Sequence, residues 1–236
     1  MLNEEKLISR FLESIQKQTV KPIELIVADG GSTDKTLEAM GKYDKRLKRM
    51  GIELKIVSLS PGIVRLRDLG FRIARGEVIA SMDADTYYPP AYLETAVGCL
   101  DKGAVGVTGP SRLFDPPGFA MLEKVIQAGR DRLIFKLTGT CFYPRAYNLV
   151  FLRQAYLNTP GMNIAVPVAE DEVGLAKLLN TQGRITYCED LVPITSSRRY
   201  KKGLRHFLFK TIIYDYWWGY WRAKYLGQTV NYERAN

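Results

Sequence analysis

Histidine and cysteine are the scarcest chemistry-bearing residues in this chain of 236: His206 stands alone, and the thiols are Cys99, Cys141 and Cys188. A single imidazole excludes most His-rich metal centres and leaves a Ser-His-Asp arrangement only if that one residue serves. The cysteines are odd in number, widely spaced and without a C-x-x-C pair. That pattern argues against a disulfide framework or zinc site and fits a reducing, cytoplasmic setting. Long apolar runs are missing too. The most apolar late stretch, FLFKTIIYDYWWGYWRAKYL (207–226), is interrupted by Lys210, Asp215, Arg222 and Lys224, so it is a poor spanning helix. The start, MLNEEKL, has no apolar core of a signal peptide, and none is expected. With no linker, repeat or low-complexity segment, the length suits one compact domain with at most a small appendage. Chemistry is left to carboxylates, arginines and backbone.

Basic residues exceed acidic ones, giving a formal net charge of +9. Such an excess favours anionic partners: nucleic acid, an anionic membrane surface or phosphorylated small molecules. Leu7, Ile8, Phe11, Leu12 and Ile15 fall at helical spacing in NEEKLISRFLESIQKQ, with Asn3 as the expected N-cap. ELIVA (24–28) then reads as a buried strand ending in the turn-rich DGGSTDKT, where Ser32 or Thr33 is expected to cap the next helix. ELKIVSL (53–59) and EVIASM (77–82) continue as strands around the helical PGIVRLRDLGFRIARG. A helix at 91–100, a short strand at 103–109, the amphipathic MLEKVIQAGRDRLIF, a helical VAEDEVGLAKLLNTQG and a closing strand in RITYCED complete the pass. Strands alternating with helices predict a parallel sheet covered on both faces, with ligands collecting at the strands' carboxyl ends.

Two acidic motifs fall at such ends. In SMDADTYYPP, Asp83 and Asp85 are two residues apart, and in an extended segment both carboxylates point to one side. Together they suit a hard divalent cation completed by phosphate and water; two solvated loop acids are the plain alternative. In DGGSTD, Asp29 can accept a hydrogen bond from a nucleobase N–H. Arg67 lies on the helix entering the DAD strand, where it can meet a phosphate or a carboxylate, or simply face solvent. Glu170, Asp171 and Glu172 open a late helix, a favourable place for acids whether or not they are catalytic.

Taken in order, NEE, VADGGSTDKT, RDLG with GEVIASMDAD, AEDEVGLAKLL and TSSRR resemble the inverting, GT-A-fold glycosyltransferases of family 2, over about residues 2–200. The resemblance implies an α/β fold: a GT-A-like, Rossmann-type three-layer sandwich with a mostly parallel central sheet. The usual first strand would be lacking or truncated, because the chain begins just before the Asn-Glu-Glu. It also implies a nucleotide-binding half (1–109), an acceptor half (110–200) and a basic, aromatic extension (201–236). By similarity, Glu4 or Glu5 and Asp29 line the nucleoside pocket and Arg67 stands near the base or diphosphate. Asp83 faces the ribose or a metal-bound water, Asp85 ligates Mn²⁺ or Mg²⁺, and Asp171 is the general base. Arg198 and Arg199 close over the diphosphate. The implied donor is a UDP- or GDP-sugar and the acceptor a glycan or lipid.

The segment from 198 to 226, basic and then aromatic, can lie at a lipid headgroup layer or pack on the fold. Two rivals are a sugar-phosphate nucleotidyltransferase and a nucleotide-sugar or nucleic-acid binding protein without catalysis. Against the first, no glycine-rich phosphate loop followed by lysine occurs near the N-terminus. Against the second stand Asp83, Asp85 and Asp171, and nucleic acid is not the expected partner.

Overall fold

The computed structural model describes residues 1–59, 62–100, 103–114, 116–164, 170–201 and 203–204. His206 and nearly all of the 201–236 extension, including its aromatic belt, lie outside the described residues, as does the Arg199 side chain.

Helices α1 (Ile8–Gln16), α2 (Thr36–Arg49), α3 (Ile63–Ile73) and α4 (Tyr92–Cys99) alternate with strands β1 (Glu24–Asp29), β2 (Glu53–Ser58) and β3 (Val78–Ser81). The short β4 (Thr86–Tyr87) lies between β3 and α4, and β5 (Ala104–Thr108) and β6 (Arg112–Phe114) follow α4. The second half comprises α5 (Gly118–Thr138), β7 (Leu149–Leu152), α6 (Arg153–Leu157), α7 (Leu175–Asn180), β8 (Arg184–Tyr187) and β9 (Ile194–Ser196). β1 and β2 pair in parallel, β3-β7-β5-β8 form a four-stranded sheet, and β4-β9-β6 form a small third sheet. β5 runs parallel to β8, while β7 lies antiparallel between β3 and β5.

Two apolar layers sandwich these strands, and period-2 alternation assigns residues to them. Val107 and Val150 join Ile8, Phe11, Leu12 and Ile15 of α1 on one side. Val105, Leu149 and Phe151 join Val64 and Phe71 of α3 and Leu175 and Leu179 of α7 on the other. This is the expected three-layer α/β arrangement.

β1 and β3 are not paired with each other. The Met1 amino group instead donates to the Ala28 carbonyl at 2.5 Å, and Gly30 N–H donates to the Met1 carbonyl at 2.8 Å. Met1 thus sits beside the end of β1 in parallel register, on the edge opposite β2.

Three local expectations are corrected. Asn3 is not a helix cap: it has φ 52°, its side-chain oxygen accepts from Thr33 N–H at 2.9 Å, and α1 starts only at Ile8. Contact with the 29–36 loop outweighs the local capping signal. The next helix is capped by neither Ser32 nor Thr33: its N-cap is Lys35, without a side-chain cap, and Asp34 just before it accepts from Thr36 N–H at 3.0 Å. Cys99 and Cys188, 89 residues apart, form a disulfide between the end of α4 and the segment after β8. Spacing along the chain carries no information about such a pair; β5, which packs against both elements, brings it together.

Asn148, fully buried, holds the second half in place. Its amide nitrogen donates to the carbonyls of Gly109 (2.8 Å), Pro110 (3.0 Å) and Leu191 (3.2 Å), and its oxygen accepts from the Tyr92 hydroxyl at 2.9 Å. The loop it grips is close-packed: a Cβ on Gly109 would lie 2.3 Å from the Cys188 carbonyl oxygen. Asn148→Leu strands these groups in the interior, at about 1–3 kcal/mol for each one left unsatisfied. A loss of at least about 2 kcal/mol is expected in urea unfolding; an unmoved midpoint would show that the amide is dispensable.

Candidate active site

At the carboxyl end of β1, Asp29 is almost fully buried and turns its carboxylate onto its own loop. It accepts from Gly31 N–H and Ser32 N–H, both at 3.0 Å, and from the Ser32 hydroxyl at 2.6 Å. Gly31 makes the turn possible with φ 91°, a value side-chain-bearing residues rarely adopt. Two carboxylate oxygens offer about four lone-pair sites, so Asp29 retains room for one more donor.

Asp83 and Asp85 do not continue β3. The strand ends at Ser81, and Thr86 N–H closes a tight turn by donating to the Asp83 carbonyl at 3.2 Å. The two carboxylates are therefore placed by the turn and its partners, not by extended alternation. Buried Tyr88 fixes the turn: its hydroxyl accepts from Asp83 N–H at 3.0 Å and donates to the Tyr147 carbonyl at 2.9 Å. Behind it, buried Gln18 donates to the carbonyls of Tyr88 and Pro89 at 3.1 and 2.8 Å and accepts from Leu93 N–H at 3.0 Å. The double proline is thereby tied down ahead of α4. Tyr88 and Gln18 were not expected from the sequence to position the turn; the aromatic pair Tyr87-Tyr88, one residue beyond DAD, is the one local signal.

Arg67 of α3 is the hub. Its guanidinium donates to the Ser81 hydroxyl at 2.7 Å and to Asp83, and its Nε lies 3.2 Å from the Asp171 carboxylate. Nε–H is not aligned for a hydrogen bond, so the last contact is one of charge. Burial works against the charge on Arg67, yet Asp83 and Asp171 outweigh it and raise its pKa. Asp171 lies in a π-helical turn, Glu170–Gly174, leading into α7, a distortion frequently found at functional sites. Burial pushes its carboxyl up to about 6, with Arg67 pulling down and Glu172 and Asp83 pushing up. A buried carboxyl with such a value can take up or release a proton near neutral pH.

Arg198 forms a second hub, joining residues far apart in sequence. It donates to both oxygens of buried Glu4, at 2.9 and 3.3 Å, and lies 3.6 Å from Asp85. Glu5 is placed differently, its carboxylate accepting from Lys35 N–H at 3.1 Å. Of the two acids, Glu4 is the one joined to the Asp85 cluster. The structure thus gathers Arg67, Asp83 and Asp171 in one network and Glu4, Arg198 and Asp85 in another, with Asp29 engaged in its own loop.

Among the described residues no group of three or more His, Cys, Asp or Glu gathers as a metal cage. What the DAD turn offers is two hard oxygen ligands. That set fits Mg²⁺ or Mn²⁺, which keep water and take substrate phosphates alongside one or two carboxylates. Asp85 and Asp83 are the residues that would hold it.

Residues 1–156 match the family described as Glycosyl transferase family 2. The chain belongs to that family. Its similarity to poly(ribitol-phosphate) beta-N-acetylglucosaminyltransferase TarS of Staphylococcus aureus (strain Mu50 / ATCC 700699) is 26% identity over 212 residues, or 84% of this chain and 34% of TarS. With the dodecaprenyl-phosphate galacturonate synthase of Rhizobium johnstonii it shares 28% identity over 162 residues, 66% of this chain and 47% of that protein. This family 2 chain therefore spans half or less of those relatives' length. Among solved structures, TarS 1–349 in complex with UDP-GlcNAc aligns with TM-score 0.61 and 22% identity, covering 83% of this chain and 56% of that one. The mannosyltransferase PcManGT from Pyrobaculum calidifontis, in complex with GDP-Man and Mn²⁺, aligns with TM-score 0.62 and 22% identity, covering 82% and 54%. The shared fold is the GT-A fold anticipated from the motifs.

Proposed function

We propose that this family 2 chain is an inverting glycosyltransferase, assisted by a divalent cation, that moves a sugar from a nucleotide diphosphate sugar to an acceptor hydroxyl. The observation that carries the reading is the Arg67 bridge, which sets a buried, proton-ready Asp171 beside Asp83 on the DAD turn. Asp171 accepts the proton of the acceptor hydroxyl. The oxygen then forms its bond to the anomeric carbon from the face opposite the departing group, and the anomeric C–O bond breaks with its electron pair leaving on the nucleoside diphosphate. Bound at Asp85 and Asp83, a cation supplies charge stabilisation to that diphosphate. Arg198 is placed to add to it, and Arg199 is assigned with it from the sequence.

Glu4, with Asp29 as a further hydrogen-bond acceptor, lines the nucleoside side; Glu5 caps the neighbouring loop instead. The TarS and PcManGT complexes support a UDP- or GDP-linked donor, and PcManGT supports Mn²⁺. The dodecaprenyl-phosphate and poly(ribitol-phosphate) relatives support a lipid-linked or polymeric acceptor. Residues 1–200 form the transferase domain in this reading and 201–236 an extension, and the stretch 198–226 contacts a membrane from its cytoplasmic face. Among the described residues no helix is long and apolar enough to cross a membrane.

Calorimetry with UDP and GDP, with and without Mn²⁺, followed by nucleotide release from a panel of donor sugars, tests the proposal. Asp85→Ala is expected to lower Mn²⁺-dependent nucleotide affinity at least about ten-fold, the scale of one lost charge-assisted contact. Undiminished Mn²⁺-dependent binding in that variant removes Asp85 from the site, and binding of nucleic acid alone by the wild type refutes the proposal as a whole.

A further inference from the structure

Charge alone does not orient the Asp171 carboxylate. The contact from Arg67 Nε at 3.2 Å lacks the alignment of a hydrogen bond, and Coulomb attraction sets a separation rather than a direction. Direction comes from the backbone that carries Asp171, the π-helical turn Glu170–Gly174. Two features of that turn belong together. Glu170 accepts from Asn163 N–H at 2.9 Å, while its carboxyl group lies against Gly174. That glycine has φ −63° and ψ −48°, ordinary helical values, so the backbone gives no reason for one of the poorest helix formers to stand there. The space does: a Cβ at Gly174 would lie 2.6 Å from Glu170 Oε1.

The strand of chain that Glu170 holds is itself fastened to α3. Met162 N–H donates to the Tyr156 hydroxyl at 3.3 Å, and that hydroxyl donates to Asp68. Arg72 Nη2 donates to the Pro160 carbonyl at 3.0 Å. α3 carries Asp68 and Arg72 as well as Arg67. The π-helical turn therefore meets α3 twice, by charge at Asp171 and, through Glu170, by way of residues 160–163. We infer that Glu170 is a positioning residue for Asp171 and that Gly174 is the seat its carboxylate needs, an inference that rests on Asp171 as the general base. Glu170 acts through the turn and not on the substrate. With its carboxylate on Asn163 N–H, the turn holds one register and the Asp171 oxygens one direction; a base displaced by about 1 Å loses about 10²-fold in rate.

Transfer kinetics of the full chain and its variants test this. Glu170→Ala removes the acceptor of the Asn163 N–H, and Gly174→Ala keeps the carboxylate but fills its seat. Each is expected to lower kcat about ten- to a hundred-fold, with donor KM and the calorimetric affinity for UDP or GDP unchanged. Because both undo one contact, the double variant is expected to fall no further than the slower single one. Glu170→Gln retains an oxygen that can accept from Asn163 N–H and is expected to recover most of the rate lost in Glu170→Ala. Melting temperature is expected to be held or raised in Gly174→Ala, alanine being the better helix former. An undiminished kcat in Gly174→Ala, losses that multiply in the double variant, or Glu170→Gln as slow as Glu170→Ala overturns the inference, as does a loss of kcat that follows a fallen melting temperature in both single variants. Asp171→Asn, assayed beside them, keeps the two readings apart: full activity there sinks the base assignment, whereas an inactive Asp171→Asn with a fully active Glu170→Ala sinks only the positioning role.

Discussion

Asp171→Asn is expected to lower kcat by about 10²- to 10⁴-fold, the span assigned to a positioned general base, while nucleotide affinity is retained. The amide keeps the shape of the carboxyl but cannot take a proton, so binding and chemistry come apart. The same assignment sets a pH profile. Burial holds the Asp171 carboxyl at about 6, and only the deprotonated form acts as base. Activity is therefore expected to fall as pH drops through about 6, with a first-power dependence on proton concentration. Asp171→Asn should flatten that acid limb in whatever residual rate remains. Full activity in the variant, or an acid limb unchanged by it, would transfer the role to another group. Glu172, next to it in the chain, is one alternative, but its carboxylate is paired with Arg145 at 3.1 Å.

Much of the architecture was legible because it rests on short-range periodicity. Ile8, Phe11, Leu12 and Ile15 occur at i, i+3, i+4 and i+7 and all reach the core; the apolar run at 24–28 is a strand as expected, although of its residues only Val27 is buried and the others are half-buried. What escaped depends on contacts across the fold. Gln18 meets the double proline some 70 positions later, Asn148 collects three carbonyls from two distant loops, and Cys99 finds Cys188; no window of sequence contains both partners. β4, β6 and β9 are only two or three residues long, too short for an alternating pattern to declare itself. In the site, residue identity was easier to read than geometry. Asp83 and Asp85 stood out by composition and position, but their orientation is decided by a turn that Tyr88 anchors. That Glu4 rather than Glu5 meets Arg198, 194 residues away, was likewise beyond reach of the sequence.

Arg67→Met is expected to cost about 3–5 kcal/mol of folding stability near pH 8, the range for breaking a buried ion pair by removing one partner. Arg67 and Asp171 side chains are only 10% and 12% exposed, and Asp83 is left partly buried beside them, so methionine leaves two like charges facing each other without their cation. Asp171 has an escape: it can take up a proton. Its carboxyl already sits above the ordinary 3.8 in the folded state, so protonation favours folding. The wild type gains stability as pH falls through about 6, and the gain is complete only below the unfolded pKa. Without the guanidinium, which pulls the value down, the Asp171 pKa rises further. The deficit of Arg67→Met should therefore be largest at alkaline pH and shrink towards pH 5, where a neutral Asp171 no longer needs the cation. Urea unfolding of both proteins at pH 5 and pH 8 measures this. A deficit equal at the two pH values means that Arg67 stabilises by packing rather than charge; one below about 1 kcal/mol at pH 8 puts the pair in the class of solvent-screened surface contacts. The variant should also move the acid limb of activity upward in pH, because the charge that holds the base ready is the charge that holds α3, the DAD turn and the Asp171 segment together.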